Sequence, residues 1–298
     1  MLRYAIATCA LLLAAAPAGA SSYCQDGKLR ILLTNDDGFD APGIRALKTA
    51  LAGAGHSVTL VGPAVNQSGT SAALTLGLLT VTNPEPGVYS VTGTPATSVL
   101  LGVTAILDAD HRPQLVVSGI NNGANLGPAT AISGTVGATT AAMTQFVQPI
   151  PAIAVSTDLV EGTDPTTPAN VAHFADVADF TARLVADLVT GACAEGSGLL
   201  PRRTGLNVNY PPLAPADVAG VKLAAQGRAP FFTIGYTPIG GGSYVPTFGA
   251  AAPSPDVTNS DTVAFDDGFV TIVPIDADFT AKPGVFRIVG ARITGLQP

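Results

Sequence analysis

The stretch Leu29–Gly38, reading LRILLTNDDG, constrains this chain more than any other. Arg30 aside, it is an apolar run that stops abruptly at two adjacent carboxylates and a glycine. A short run apolar on both faces suits a central strand of a parallel sheet covered by helices. In open α/β sheets, ligands gather at the carboxyl ends of such strands, so Asn35, Asp36 and Asp37 stand where chemistry is expected. The competing reading is a polar turn that caps the next helix, since Asp and Asn favour turns and N-caps.

Elements alternate after that strand. Ala41–Leu51 reads as a helix, with Pro42 in its first turn and Ile44, Leu47 and Leu51 at helical spacing. Gly53 and Gly55 end it, and Ser57–Val61 forms a second apolar strand. Strand, helix and strand make a βαβ unit, right-handed by strong precedent. The loop that follows is polar and carries Ser68 and Gly69. Leu74–Thr82 and Val88–Thr92 read as a hairpin with its prolines confined to the turn, and Ala96–Leu107 reads as a helix. Gln114–Val117 is a further buried strand, leaving through SGINNGANLG (Ser118–Gly127). Ser133 is a good N-cap for a helix through Ala142, and Pro151–Ser156 is the next strand. Three strand ends thus carry Asp36 and Asp37, Ser68, and Asn121 with Asn125 to one rim, joined by a helix N-terminus at Ser133.

Farther on, Asn170–Leu188 has helical periodicity and Leu206–Asn209 reads as a strand. Gln226–Asn259 is rich in Gly, Pro, Thr and aromatics. It reads as an irregular β arm, because Phe231, Phe232, Tyr236, Tyr244 and Phe248 would be exposed in a disordered tail. Phe269–Val273 is a late strand. The expected class is α/β: a Rossmann-like three-layer sandwich with a mostly parallel sheet, plus a C-terminal β-rich oligomerisation arm. The core runs over about 28–225, the arm over about 226–260, and a strand and tail over 261–298.

The N-terminus reads differently from the rest. Arg3, the apolar Ala5–Ala16, Pro17 and the triplet Ala18-Gly19-Ala20 have the form of a secretory signal cut after Ala20, too short in its apolar part to span a membrane; a membrane anchor is the alternative. The expectation is an exported protein, periplasmic or secreted, with no membrane anchor after signal removal. Cys9 leaves with that leader, and an exported location permits Cys24 and Cys193 to pair or to stay as two free thiols. The net charge is −7, and one unit more negative without Arg3. An acidic chain without basic clusters is a poor ligand for polymeric nucleic acid. A small anionic substrate needs local help, from a cation or from backbone N–H groups.

Two neighbouring carboxylates, a hydroxyl and a side-chain amide make an all-oxygen donor set, which suits one divalent Mg²⁺ or Mn²⁺. His56, His111 and His173 fall outside the polar loops and read as surface or structural residues. Such a cation can polarise a phosphoryl oxygen and lower the pKa of a bound water. Gly69, Gly134 and Thr135 can offer backbone N–H groups to a phosphate, and Asn125 and Ser133 side-chain hydrogen bonds.

The segments TNDDGFDAPGI, NQSGTSAALTL, GTP, VVSGINNGANLG and SGTV, in this order, resemble the SurE family of metal-dependent 5′/3′-nucleotidases, with a weaker likeness through LNVNYP to SDTVAFDDGFVTIVPI. The resemblance implies a metal site at Asp36, Asp37, Ser68 and Asn121, with Asp36 and Asp37 catalytic. It implies phosphate contacts at Asn125, Ser133, Gly134 and Thr135, with Gly69 nearby, and an arm used to form a homodimer or homotetramer. The implied reaction is hydrolysis of nucleoside 5′- or 3′-monophosphates; other small monoesters, an aspartyl-phosphate route or nucleotide binding without hydrolysis are the alternatives. Thr97 and Ser98 stand where the family often has an acidic residue and a cysteine, Ile132 where a tyrosine is common, and Ala124 where proline is usual. These departures touch no metal ligand; they bear on the pocket for the leaving group. Which carboxylate acts as base stays open.

Overall fold

The structure is a computed structural model that describes residues 22–144, 148–295 and 297. The leader expected over 1–20 lies outside the described residues.

The chain enters through a single-turn helix α1 (Tyr23–Asp26) and the strand β1 (Arg30–Thr34), then α2 (Pro42–Gly53) and β2 (Ser57–Pro63). The hairpin β3 (Val81–Glu85) and β4 (Val88–Val91) follows, then α3 (Pro95–Leu101), β5 (Leu115–Asn122), α4 (Gly134–Met143) and β6 (Ala152–Thr157). The long α5 (Pro168–Glu195) leads to β7 (Thr204–Tyr210), β8 (Gly220–Leu223) and the arm strands β9 (Phe232–Gly240) and β10 (Ser243–Ala250). The short α6 (Asp261–Asp266), β11 (Phe269–Asp276) and α7 (Pro283–Arg292) close the chain.

Nine strands form one sheet in the order β3-β4-β2-β1-β5-β6-β7-β11-β8. Pairing is parallel throughout except at β3–β4 and β7–β11. β1 lies between β2 and β5, so the apolar run that reads as a central strand is one. Its residues alternate between two cores, as strand geometry requires. Ile31 and Leu33 pack with α2 and α5, through Ile44, Leu47, Phe174 and Val177. Leu32 packs with α3 and α4, through Val99, Ala138 and Ala142. The sheet is thus covered on both faces, as the three-layer expectation requires.

Three expectations change. Leu74–Leu79 forms no strand; pairing begins at Val81, and Pro84 lies within β3 instead of in the turn. A proline is tolerated there because β3 is the sheet's edge and fully exposed. The helix expected over Ala96–Leu107 is α3 followed by a wider turn at Gly102–Ile106. The arm is a two-stranded hairpin apart from the main sheet, with one register shift between Ser243 and Tyr244, yet it leaves Tyr236 at 69% and Phe248 at 69% exposed. β structure alone does not cover those rings, because two strands have no second layer to pack on.

Cys24 and Cys193 form a disulfide with their Cα atoms 5.5 Å apart, joining α1 to the last turns of α5. No helix among the described residues is long and apolar enough to cross a membrane.

Candidate active site

The rim is built where β1, β2, β5 and β6 end. β1 stops because Asn35 turns the chain: its Nδ2 donates to the Gly38 carbonyl at 2.8 Å. The turn does not cap α2, whose N-cap is Ala41 without a side-chain bond. Asp36 and Asp37 are therefore not capping residues.

Asp36 is 2% exposed. Thr135 Oγ1 donates to its Oδ1 at 2.5 Å, and the backbone N–H groups of Gly134 and Thr135 also face it. A side chain at Gly134 has no room, since a Cβ there would sit 2.7 Å from Asp36 Oδ2. The first turn of α4, capped by Ser133 through the Val136 N–H at 3.2 Å, is thus turned onto a carboxylate. Thr135 is fully buried behind Asp36, and Gly134 packs against it; both hold Asp36 in place. A helix N-terminus stabilises negative charge whether it comes from a ligand or from a side chain.

Asp37 accepts a hydrogen bond from the Asn122 N–H at 3.1 Å and one from Asn66 Nδ2 at 3.5 Å. Asn66 also accepts from the Ser68 N–H at 2.9 Å, so one amide ties the loop after β2 to the loop after β1. The Gln67 N–H donates to the Asp36 carbonyl at 2.7 Å and adds a second tie. Burial raises the pKa of Asp36, and the bonds from Thr135 and the backbone oppose it only in part. Burial and the neighbouring Asp36 charge push Asp37 up to about 7, against the Asn122 N–H. Two carboxylates held this way repel each other, and among the described residues no basic side chain pairs with either.

Asn121 donates Nδ2 to the Gly123 carbonyl at 2.6 Å, which leaves its Oδ1 as an available ligand atom. Asp36, Ser68, Gly69, Asn121, Asn125 and Ser133 line one cleft of about 420 Å³. The all-oxygen donor set and the uncompensated carboxylate pair fit a hard divalent cation. No cluster of three or more His, Cys, Asp or Glu occurs among the described residues, in keeping with a site half built from a hydroxyl and an amide.

Asn125 is buried and held through its side-chain amide nitrogen and both of its backbone polar groups. Its Nδ2 donates to Ser156 Oγ at 2.8 Å and its N–H to Asn209 Oδ1 at 2.7 Å. Its carbonyl accepts from Asn207, Thr130 and Asn209. Ser156, Asn207 and Asn209 were not expected as part of the site. The signal was present in the alternation of Asn207 and Asn209 on β7, a strand with buried amides on one face. Asp261 is a second unexpected support: fully buried, it accepts the Gly127 N–H at 3.2 Å and the Gly227 N–H at 2.8 Å. The histidines are structural or superficial, as expected. His56 Nδ1 accepts from the Leu29 N–H, His173 Nε2 meets Thr157 Oγ1, and His111 pairs with Asp108 at the surface.

The fold and rim define a Rossmann-like α/β protein with an acidic, oxygen-lined cleft at the carboxyl edge of its sheet. A family model described as survival protein SurE matches residues 31–232. The chain is 38% identical over 274 residues to the 5′-nucleotidase SurE of Gloeobacter violaceus, with 89% of this chain and 95% of that protein covered. It is 36% identical over 266 residues to the 5′-nucleotidase SurE of Nitratidesulfovibrio vulgaris, covering 87% of this chain and 98% of that one. Among solved structures it resembles the SurE protein of Aquifex aeolicus, at 31% identity and a TM-score of 0.67 over 88% of this chain and 98% of that one. The chain belongs to the SurE family.

Proposed function

We propose that this protein is a metal-dependent phosphomonoesterase that hydrolyses nucleoside 5′- or 3′-monophosphates. The observation that carries the reading is the single cleft in which Asp36, Ser68 and Asn121 meet from three strand ends, with Asp37 beside them at Asn122. Its relatives named 5′-nucleotidase support it. Asp36, Asp37, Ser68 and Asn121 would hold one divalent ion, Mg²⁺ or Mn²⁺. Bound there, it supplies positive charge for the phosphoryl oxygens and lowers the pKa of a coordinated water.

The residues do the positioning. Thr135 and the first turn of α4 fix Asp36 from behind. Asp37, held by the Asn122 N–H, orients the attacking water. Ser133, Asn125 and the Gly69 N–H face the phosphate from the cleft wall. Water oxygen bonds to phosphorus as the ester P–O bond breaks. One of the attacking water's protons passes to the leaving oxygen, which departs as the nucleoside hydroxyl, and the other stays on the inorganic phosphate. Phosphate release from a panel of monoesters, with Mg²⁺, with Mn²⁺ and with a chelator, tests the reading. Release that depends on the metal and favours nucleotides is expected; none from any ester would leave a non-hydrolytic nucleotide binder.

The bond between Cys24 and Cys193 supports export, since such bonds persist in oxidising compartments. Sequencing the N-terminus of protein recovered outside the cytoplasm should start at Ser21. The exposed aromatic arm supports a homodimer or homotetramer.

A further inference from the structure

One ligand of the proposed metal site is an amide, and an amide can face a cation either way. Through Oδ1, Asn121 offers a lone pair; reversed, it would aim N–H donors at the ion. Its orientation is set by the Gly123 carbonyl, which accepts from Nδ2 at 2.6 Å. That residue is held in turn by its own N–H, which donates to the Thr157 carbonyl at 2.7 Å. The pairing of β5 with β1 ends at Ser118; after a register shift, Asn121 and Asn122 pair with Ser156 and Thr157 at the end of β6. The place of the amide therefore depends on how firmly β6 ends.

Thr157 is fully buried, and its side chain is pinned from two sides. Its hydroxyl faces two carbonyls, of Tyr210 at 2.8 Å and of Asp158 at 3.2 Å. A hydroxyl has one proton to give, so toward His173 Nε2, at 2.7 Å, its oxygen accepts. His173 therefore carries a proton on Nε2. Its ring is buried on α5 and meets Tyr210 edge to face at 5.7 Å. The imidazole thus ties α5 to the ends of β6 and β7, three hydrogen bonds away from the Asn121 side chain.

We propose that Thr157 and His173 are positioning residues for the metal site: through Gly123 they hold the Asn121 amide with its oxygen toward the ion. The inference rests on the reading of Asp36, Asp37, Ser68 and Asn121 as the ligands. Neither residue touches the ion or the substrate. Groups that orient a metal's ligands from one step out are worth about 10–100-fold in affinity. The pair accordingly sets how tightly the ion is held and leaves the reaction of the loaded site unchanged.

The test measures Mn²⁺ affinity of the full chain, from the electron paramagnetic resonance signal of the free ion. Phosphate release and the melting temperature of the metal-free protein are followed beside it. Thr157→Val keeps the shape and loses the hydroxyl; His173→Phe keeps a ring against Tyr210 and loses the donor. Each should weaken Mn²⁺ binding about tenfold, while kcat and KM for the ester at saturating Mn²⁺ stay at the wild-type values. His173→Gln can place an amide N–H where Nε2 donated, and should bring the affinity back. Unchanged affinity in Thr157→Val and His173→Phe, with only a lower melting temperature, would mean a merely structural role and would overturn the proposal. So would a His173→Gln no better than His173→Phe. Should one variant fail to fold, the other decides. Weakened Mn²⁺ binding in the variants, with no ester hydrolysed even by the wild type, keeps the positioning role and rejects the phosphatase. Metal-dependent hydrolysis with the affinity unmoved does the reverse, and a wild type that takes up no Mn²⁺ overturns both.

Discussion

The rim and the arm manage polarity in opposite ways. At the rim, carboxylates and amides are buried or half-buried and held by neighbours from other segments: Thr135 to Asp36, Asn122 to Asp37, Ser156 and Asn209 to Asn125. In the arm, two strands that form a sheet of their own carry Tyr236 and Tyr244 into solvent. The rim needs fixed geometry, because charge must be presented in one place. The arm needs surface, because apolar area outside a core gains stability only once something covers it.

The largest expected effect tests the rim. Asp36→Asn and Asp37→Asn should each lower turnover by about a thousandfold or more with the fold intact by circular dichroism; full activity of either in metal-controlled buffer would remove the catalytic assignment. Next comes Gly134→Ala, whose methyl would push Asp36 aside. A displacement of this kind should reduce kcat about a hundredfold, while a conserved rate would mean that Asp36 need not be held so tightly.

Thr135→Val should lower stability by about 1–3 kcal/mol in urea titrations, because it leaves a buried carboxylate oxygen without its donor. The metal-free protein should also lose stability as pH rises from about 4 to about 7. Asp37 binds its proton more tightly folded than unfolded, so the native state holds more protons across that window and stability falls with pH. Added Mn²⁺, or Asp37→Asn, should flatten the slope in thermal melts. The smallest effect sharpens the arm. Tyr236→Ser with Tyr244→Ser should change stability of the core by less than about 0.5 kcal/mol per site, yet shift the sedimentation coefficient. A large drop in melting temperature would mean that the arm belongs to the core after all.

Much of this fold was legible in the sequence because local signals agreed with the tertiary outcome. Leu29–Thr34 is apolar on both faces and is central; Ile44, Leu47 and Leu51 keep helical spacing and are buried. Ser133 caps α4 as its residue type suggests. Legibility failed where the answer depended on contacts between distant segments. Leu76 and Leu78 resemble strand residues, yet that loop stays out of the sheet and leaves them exposed. Nothing local to Thr135 reveals that a carboxylate 99 positions earlier meets the same helix end. Asn207 and Asn209 showed only their period, and their partner lies more than 80 residues upstream.

Asp261 bears on how freely such a molecule can vary. A single carboxylate holds the Gly127 amide beside the cleft and the Gly227 amide where the arm departs. The hairpin's tip is therefore free to drift and to acquire new surroundings without consulting the chemistry. A change at its root is another matter: it loosens two backbones at once, one of which borders the substrate.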